Sequence, residues 1–276
     1  MKNELNSNEY NLMASRQSRK ILTGTLAAME NVKIGQDENV DCGVVFYDEF
    51  KILIPIREMN VSREDKRVIR SMIGAEIDFI VMEFDEENRT AIASRKQAME
   101  LRKNLELKKH KVGEKIFVRV TSVGRNNCRV DCYGIEYRVP INEIDYGYID
   151  KVDKYVQVGD VVPAIIKELD IDNNIVVVSI KEAKEDPYLG IVKSLNKGGE
   201  YLGVVTGIKE YGIFLTIRKG VNCLCPFPNW ANFSPAVGEK FVVRIKSINY
   251  DEKKINANLM RPINQRNKYN PTWGLG

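Results

Sequence analysis

Five cysteines and one histidine carry the most reactive chemistry in this 276-residue chain, and their spacing argues against its use. A zinc site needs paired Cys or Cys/His clusters, a pattern that Cys42, Cys128, Cys132, Cys223 and Cys225 do not supply. Their odd number, without a secretion signal, predicts reduced thiols that pack in the core as small apolar groups. Cys223 and Cys225 stand two apart in an apolar stretch, where a strand puts both on one face. His110 lies in a lysine-rich stretch and is expected to be a solvated linker residue. With a single histidine, Ser-His-Asp, Cys-His and multi-His metal sites are all hard to assemble. There is no GxxxxGK[ST] loop and no GxGxxG after a strand. Asp85, Glu86 and Glu87 cluster in a hairpin turn, where turn chemistry accounts for them. The expectation is a non-catalytic protein with no metal and no cofactor.

The composition allows a packed core, with 43% hydrophobic and 29% charged residues. A net charge of +4 permits phosphate binding by local patches without demanding it. No run of about 18 apolar residues occurs, and Met1–Tyr10 is polar. The chain is therefore expected to be cytoplasmic, without a membrane span or secretory signal.

The elements that would position any site repeat at about 85 residues. Each repeat holds an apolar-proline step: Ile54-Pro55-Ile56, Val139-Pro140-Ile141 and Cys225-Pro226-Phe227. An apolar-Gly-acidic step follows at Ile73-Gly74-Ala75-Glu76, Val158-Gly159-Asp160 and Val237-Gly238-Glu239. Alternating strands are then expected over 77–82, 161–167 and 241–248. Polar turns at 85–88, 170–173 and 249–252 lead to closing strands over 90–94, 175–180 and 255–259. Upstream, 201–208 and 213–217 alternate as further strands. Five short strands per repeat predict an all-β protein of three tandem five-stranded OB-fold barrels joined by short helical linkers. The expected order begins with a polar extension (1–18, loosely helical at best) and a degenerate first repeat (19–97). A helical linker (98–110), the second repeat (111–183) and another helical linker (184–197) follow. The third repeat (198–262) and a flexible tail (263–276) complete the chain. Trp230 and Phe233 are expected to pack in the cap between the third and fourth strands of the last barrel, whereas Trp273 falls in the tail.

The run Gly203-Val204-Val205-Thr206-Gly207-Ile208-Lys209-Glu210-Tyr211-Gly212-Ile213-Phe214-Leu215, with Val237-Gly238-Glu239 and the closing hairpin, resembles the RNA-binding repeat of ribosomal protein S1. The second and first repeats resemble it more distantly, chiefly over Val158–Ala183 and Ile73–Ala98. Glu185-Asp186-Pro187-Tyr188 is similar to the joint between tandem repeats of that family. The resemblance implies that an aromatic pair flanking a glycine stacks bases, and it maps that pair onto Tyr211 and Phe214. The family's histidine after the third strand maps onto Pro226, its acid onto Asn249 and its base onto Lys253 or Lys254. In the second repeat the corresponding positions are Asn126, Arg129, Pro140, Asp170 and Asn174. In the first they are Pro55, Asp85 and Arg89, with no aromatic pair around Cys42–Val45.

Single-stranded nucleic acid needs flat π-surfaces for bases and positive charge for the backbone. Only the third repeat offers both. Phe214, Thr216 and Arg218 are expected on the outer side of one strand, with Ile213, Leu215 and Ile217 inside. Arg244 and Lys246 are expected outward on the fourth strand, and Lys254, Asn256 and Asn258 on the fifth. Tyr211 can join Phe214 outside only if Gly212 bends or bulges the strand. The expected RNA-binding set is Lys209, Tyr211, Phe214, Arg218, Arg244, Lys246, Asn249, Lys253 and Lys254, with Arg129 in the second repeat. The expected partner is single-stranded RNA, with messenger RNA at the ribosome as the setting and no membrane. The alternative is a docking scaffold, in which degenerate barrels bind a protein.

Overall fold

The computed structural model describes residues 7–34, 39–61, 65–147, 149–231, 233–250 and 252–263. The chain forms two compact units, one from repeats 1 and 2 (1–144 and 149–184) and one from repeat 3 (145–148 and 185–276).

Repeat 1 contains β1 (Leu22–Lys33), β2 (Asn39–Tyr47), β3 (Phe50–Pro55), β4 (Glu76–Asp85) and β5 (Thr90–Ser94). They close into a barrel in the order β1-β2-β3-β5-β4. Repeat 2 contains β6 (Lys115–Val123), β7 (Asn127–Cys132), β8 (Ile135–Pro140), β9 (Val161–Asp170) and β10 (Ile175–Ser179). Repeat 3 contains β11 (Glu200–Lys209), β12 (Gly212–Arg218), β13 (Val221–Cys225), β14 (Lys240–Asn249) and β15 (Lys254–Pro262), again closed in the same order. The expected third closed barrel is an open sheet in repeat 2, ordered β10-β9-β6-β7-β8. In repeats 1 and 3 a parallel pairing of the third and fifth strands makes the closure. In repeat 2 β8 and β10 run side by side without that ladder.

Two repeated devices explain why three divergent sequences take one fold. The glycine of each apolar-Gly-acidic step has positive φ: 95° at Gly74, 90° at Gly159 and 93° at Gly238. A side chain is strained there, and glycine is not. Each of these glycines donates its N–H to a first-strand carbonyl, of Leu26 (2.8 Å), Val120 (2.9 Å) or Val205 (2.8 Å). The same first-strand residue donates back to the residue after the glycine. The register of the first strand slips just beyond that residue in every repeat, at Leu26/Ala28, Val120/Ser122 and Val205/Gly207. Such bulges bend a strand enough to curl a small sheet.

The turn before each fifth strand is the second device. Asp85, Asp170 and Asn249 each accept a backbone N–H three residues on, at 3.0, 3.1 and 3.0 Å. A left-handed residue then ends each turn, at Arg89, Asn174 and Lys253. Prolines 55 and 140 end their third strands and Pro226 follows its own, as the sequence pattern implied.

Helix α1 (Ser7–Ser18) is regular and docked, unlike the loose segment expected from its polar sequence. Leu12 is fully buried, and Ser15 Oγ accepts the Val81 N–H at 3.0 Å. Two inward residues spaced i, i+3 hold it, too few to stand out in the sequence. Helix α3 follows β5 directly; it spans Arg95–Leu105, with Ser94 Oγ capping Gln97 N at 3.0 Å. The short α2 (Lys66–Ser71) and α4 (Pro187–Val192) complete the α-helices among the described residues. All five cysteines are buried and free. His110 differs from expectation: its ring stacks on Tyr133 at 4.9 Å and its Nδ1 lies 3.0 Å from a Glu114 oxygen. Trp230 and Phe233 pack edge-to-face at 5.1 Å over the third core. Trp273 and the tail from residue 264 lie outside the described residues.

Candidate nucleic-acid interface

Within repeat 3, strand alternation turns Ile213 and Leu215 into the core and Phe214 and Thr216 outward. Phe214 pairs with Gly207 on β11 and with Leu224 on β13. Leu224 pairs with Asn256 on β15, and Asn256 with Ser247 on β14. One row therefore crosses the outer face of all five strands, with Phe214 as its aromatic member. Gly207, without a side chain, leaves one flank of that ring uncovered. Asn256 Nδ2 donates to Ser247 Oγ at 3.3 Å.

Gly212 resolves how Tyr211 joins Phe214. Its φ is 153°, and an added Cβ would lie 2.7 Å from the Cys225 carbonyl oxygen and 2.8 Å from Leu224 Cδ1. The kink presents Tyr211, 68% exposed, against Phe214 with ring centroids 5.9 Å apart and planes at 89°. The L-shaped pair offers two differently oriented π-faces. Phe227, 46% exposed, follows β13, whose Cys225 pairs with Ile213, so it lies at the Tyr211 end of the hairpin. It was not anticipated from sequence, where it reads as part of the proline motif.

The basic residues divide into two groups. Lys209, Arg218 and Lys246 are exposed and make no ion pair among the described residues. Lys209 closes the hairpin opposite Gly212, and Lys246 sits in the β14 bulge. Arg244, by contrast, is held by Glu200 at 2.6 Å and Lys254 by Glu252 at 2.9 Å. Lys253 pairs with Asp186, whose hydrogen bond raises its pKa, and its ammonium lies 5.9 Å over the Tyr188 ring. Asn249 caps its own turn through Oδ1, doing with an amide what Asp85 and Asp170 do with carboxylates. Among the described residues, the exposed cations of this barrel's predicted set without an ion pair are thus Lys209, Arg218 and Lys246.

The same row in the other repeats has different chemistry. In repeat 1 it reads Ala28, Val44, Leu53, Ile92 and Glu83. In repeat 2 it begins Ser122, Arg129 and Arg138, with Val177 and Glu168 beyond the unladdered edge. Arg129 therefore does stand where Phe214 stands, as the sequence alignment placed it. Its nearest acid is Glu136, at 3.6 Å.

Repeats 1 and 2 share a buried charge cluster that sequence reasoning did not identify. Asp78 of β4 accepts from Arg102 of α3 at 2.5 Å, from Arg119 of β6 at 2.9 Å and from Thr23 at 2.7 Å. Asp131 of β7 lies 3.4 and 3.3 Å from the same two guanidiniums. Burial pushes the Asp131 carboxyl up, and Arg95 and Arg102 pull it back. Arg95 itself, 1% exposed, donates to the Met59 carbonyl at 2.9 Å and to Glu136 at 2.7 Å. This cluster is structural, joining β4, α3, β6, β7 and β8 in one unit.

The model of the S1 RNA-binding domain matches residues 109–181, the second repeat. Small ribosomal subunit protein bS1 of Mycobacterium tuberculosis (strain ATCC 25618 / H37Rv) is 25% identical over 252 residues, covering 86% of this chain and 52% of that protein. A 4-hydroxy-3-methylbut-2-enyl diphosphate reductase of Clostridium tetani is 23% identical over 244 residues, 83% of this chain and 38% of its own. The chain spans about half the length of the ribosomal relative, or less for the reductase. Among solved structures, a multidomain protein with nucleic acid binding domains from Streptococcus pneumoniae TIGR4 aligns over 87% of this chain and 73% of its own, with 13% identity and a TM-score of 0.21. The family match falls on the second repeat and the aromatic row on the third, within one repeated architecture. The second repeat thus matches the S1 RNA-binding domain, and the chain as a whole resembles tandem S1-type domain proteins.

Proposed function

We propose that this chain is a non-catalytic protein that binds single-stranded RNA, with messenger RNA at the ribosome, in the cytoplasm, as its setting. The observation that carries this reading is the outward-facing Tyr211–Phe214 pair with Lys209 at the same hairpin end, on a barrel where exposed Arg218 and Lys246 also make no ion pair among the described residues. Base stacking on such rings contributes about 1–3 kcal/mol per base, and the two faces at 89° suit consecutive unstacked bases better than a duplex. The ribosomal setting draws on the bS1 relatives. Replacing both rings, Tyr211→Ala with Phe214→Ala, should weaken binding to a single-stranded RNA by about 30-fold or more. Filter binding with the full chain measures it, with circular dichroism to verify the fold. Unchanged affinity in a folded double variant would refute the site.

A second reading is favoured for repeat 1 alone. Its row of Ala28, Val44, Leu53, Ile92 and Glu83 has neither ring nor cation, and suits support or protein docking. A partner that stays bound after nuclease digestion would identify it.

A further inference from the structure

We infer that Arg129 and Arg138 of repeat 2 form a phosphodiester-binding site, gripping the RNA backbone at the row position where repeat 3 presents Phe214 and Leu224. This rests on the RNA-binding reading above and adds a second mode of contact to it.

Three observations carry the inference. First, the two arginines are direct cross-strand partners on β7 and β8, so both guanidiniums belong to one spot of the outer face. Like charges set directly opposite each other destabilise a sheet, and a bound anion reverses the sign of that term. Second, the pair is poorly neutralised from within the protein. Arg138 is exposed and makes no ion pair among the described residues. Glu136 lies 3.6 Å from Arg129 but gives its other oxygen to the buried Arg95 at 2.7 Å. The other acid of the row, Glu168, lies beyond the unladdered edge between β8 and β10, where it pairs with Val177. Third, Arg125 and Asn126 add a further cation and amide at the exposed tip of the hairpin that carries Arg129.

Guanidinium is the side chain suited to this task. Its planar fork of donors matches two phosphate oxygens at once and stays charged at any physiological pH. The chemistry predicts a site indifferent to base identity, since phosphate contacts position a strand without reading it.

The test is the salt dependence of RNA binding by the full chain, measured by fluorescence anisotropy with a labelled oligouridylate. Each phosphate contact on a single strand contributes about 0.7 to the slope of log affinity against log salt. Arg129→Gln with Arg138→Gln should flatten that slope by about 0.7–1.4, with several-fold weaker binding at low salt and convergence at high salt. Phe214→Ala should instead lower affinity by the same factor at every salt concentration. The melting temperature of the unbound double variant should stay level or rise, because a like-charge pair has been removed. A wild-type slope in the folded double variant would overturn the phosphate site and leave the RNA reading standing. Failure of the wild-type chain to bind the oligouridylate would overturn the RNA reading, and this inference with it.

Discussion

At the scale of single residues, Gly212 decides whether repeat 3 has one ring or two. Strand alternation alone puts Phe214 outside and says nothing useful about a residue three places away. The positive φ at Gly212 swings Tyr211 onto the same outer face, and the close Cys225 carbonyl excludes a larger residue. Gly212→Ala should therefore destabilise the protein by about 1–3 kcal/mol and also lower RNA affinity, read by denaturant melts beside filter binding. A melt that falls while affinity holds would mean the ring arrangement does not matter. The outward face of Phe214 was legible in the sequence because period-2 alternation is a local signal, whereas its row across five strands comes from register. The division of cations was not legible: among the described residues Lys209 and Lys246 make no ion pair, while Arg244 and Lys253 are held by Glu200 and Asp186, partners distant in sequence. Arg129 was legible by alignment, whereas Arg138 acquires meaning only from the β7–β8 register.

At the scale of elements, the turn before the fifth strand shows why the fold was readable through divergent sequences. Three polar residues, Asp85, Asp170 and Asn249, make the same hydrogen bond to the backbone, and the glycine steps make the same pair of bonds to the bulged first strand. Both devices are short, local motifs that survive when everything between them changes. The amide in repeat 3 also gives a pH prediction. Hydrogen bonds from the Asn173 side chain and then its backbone N–H lower the pKa of Asp170. Its folded-state pKa thus lies below the unfolded value, near 4, so the stabilisation is present above that value and lost as pH falls through the lowered one. Asp170→Asn should lower the neutral-pH melting temperature slightly, because it removes that charge-linked stabilisation, and flatten the fall in acid. An unaltered acid limb of the melting curve would show that the carboxylate's charge contributes nothing. Elements held by packing rather than by turn motifs were harder to read. Helix α1 is anchored by Leu12 and Ser15 in an otherwise polar segment, and the open edge between β8 and β10 leaves no local trace.

At the scale of the whole molecule, repetition has been spent on different chemistry in each copy. Repeat 1 carries an apolar, acid-ended row, repeat 2 a pair of arginines, and repeat 3 an aromatic pair with free lysines. Repeats 1 and 2 are also joined by the Asp78, Arg102, Arg119 and Asp131 cluster. Its members look like ordinary surface charges in sequence, since they are brought together only when β4, α3, β6 and β7 meet. Arg102→Ala would leave two buried carboxylates sharing Arg119, and breaking such a pair costs about 3–5 kcal/mol. Chemical denaturation of the full chain measures this, and a change below about 1 kcal/mol would mean the cluster behaves like exposed charge.

The central claim is that Tyr211 and Phe214 stack the bases of a single RNA strand. Ultraviolet cross-linking of the full chain to oligouridylate, followed by mass spectrometry of the adducts, addresses it most directly. The account predicts uridine adducts on Tyr211 or Phe214, competed away by unlabelled single-stranded RNA and not by duplex. Adducts confined to repeat 1, with none between residues 209 and 227, would contradict it.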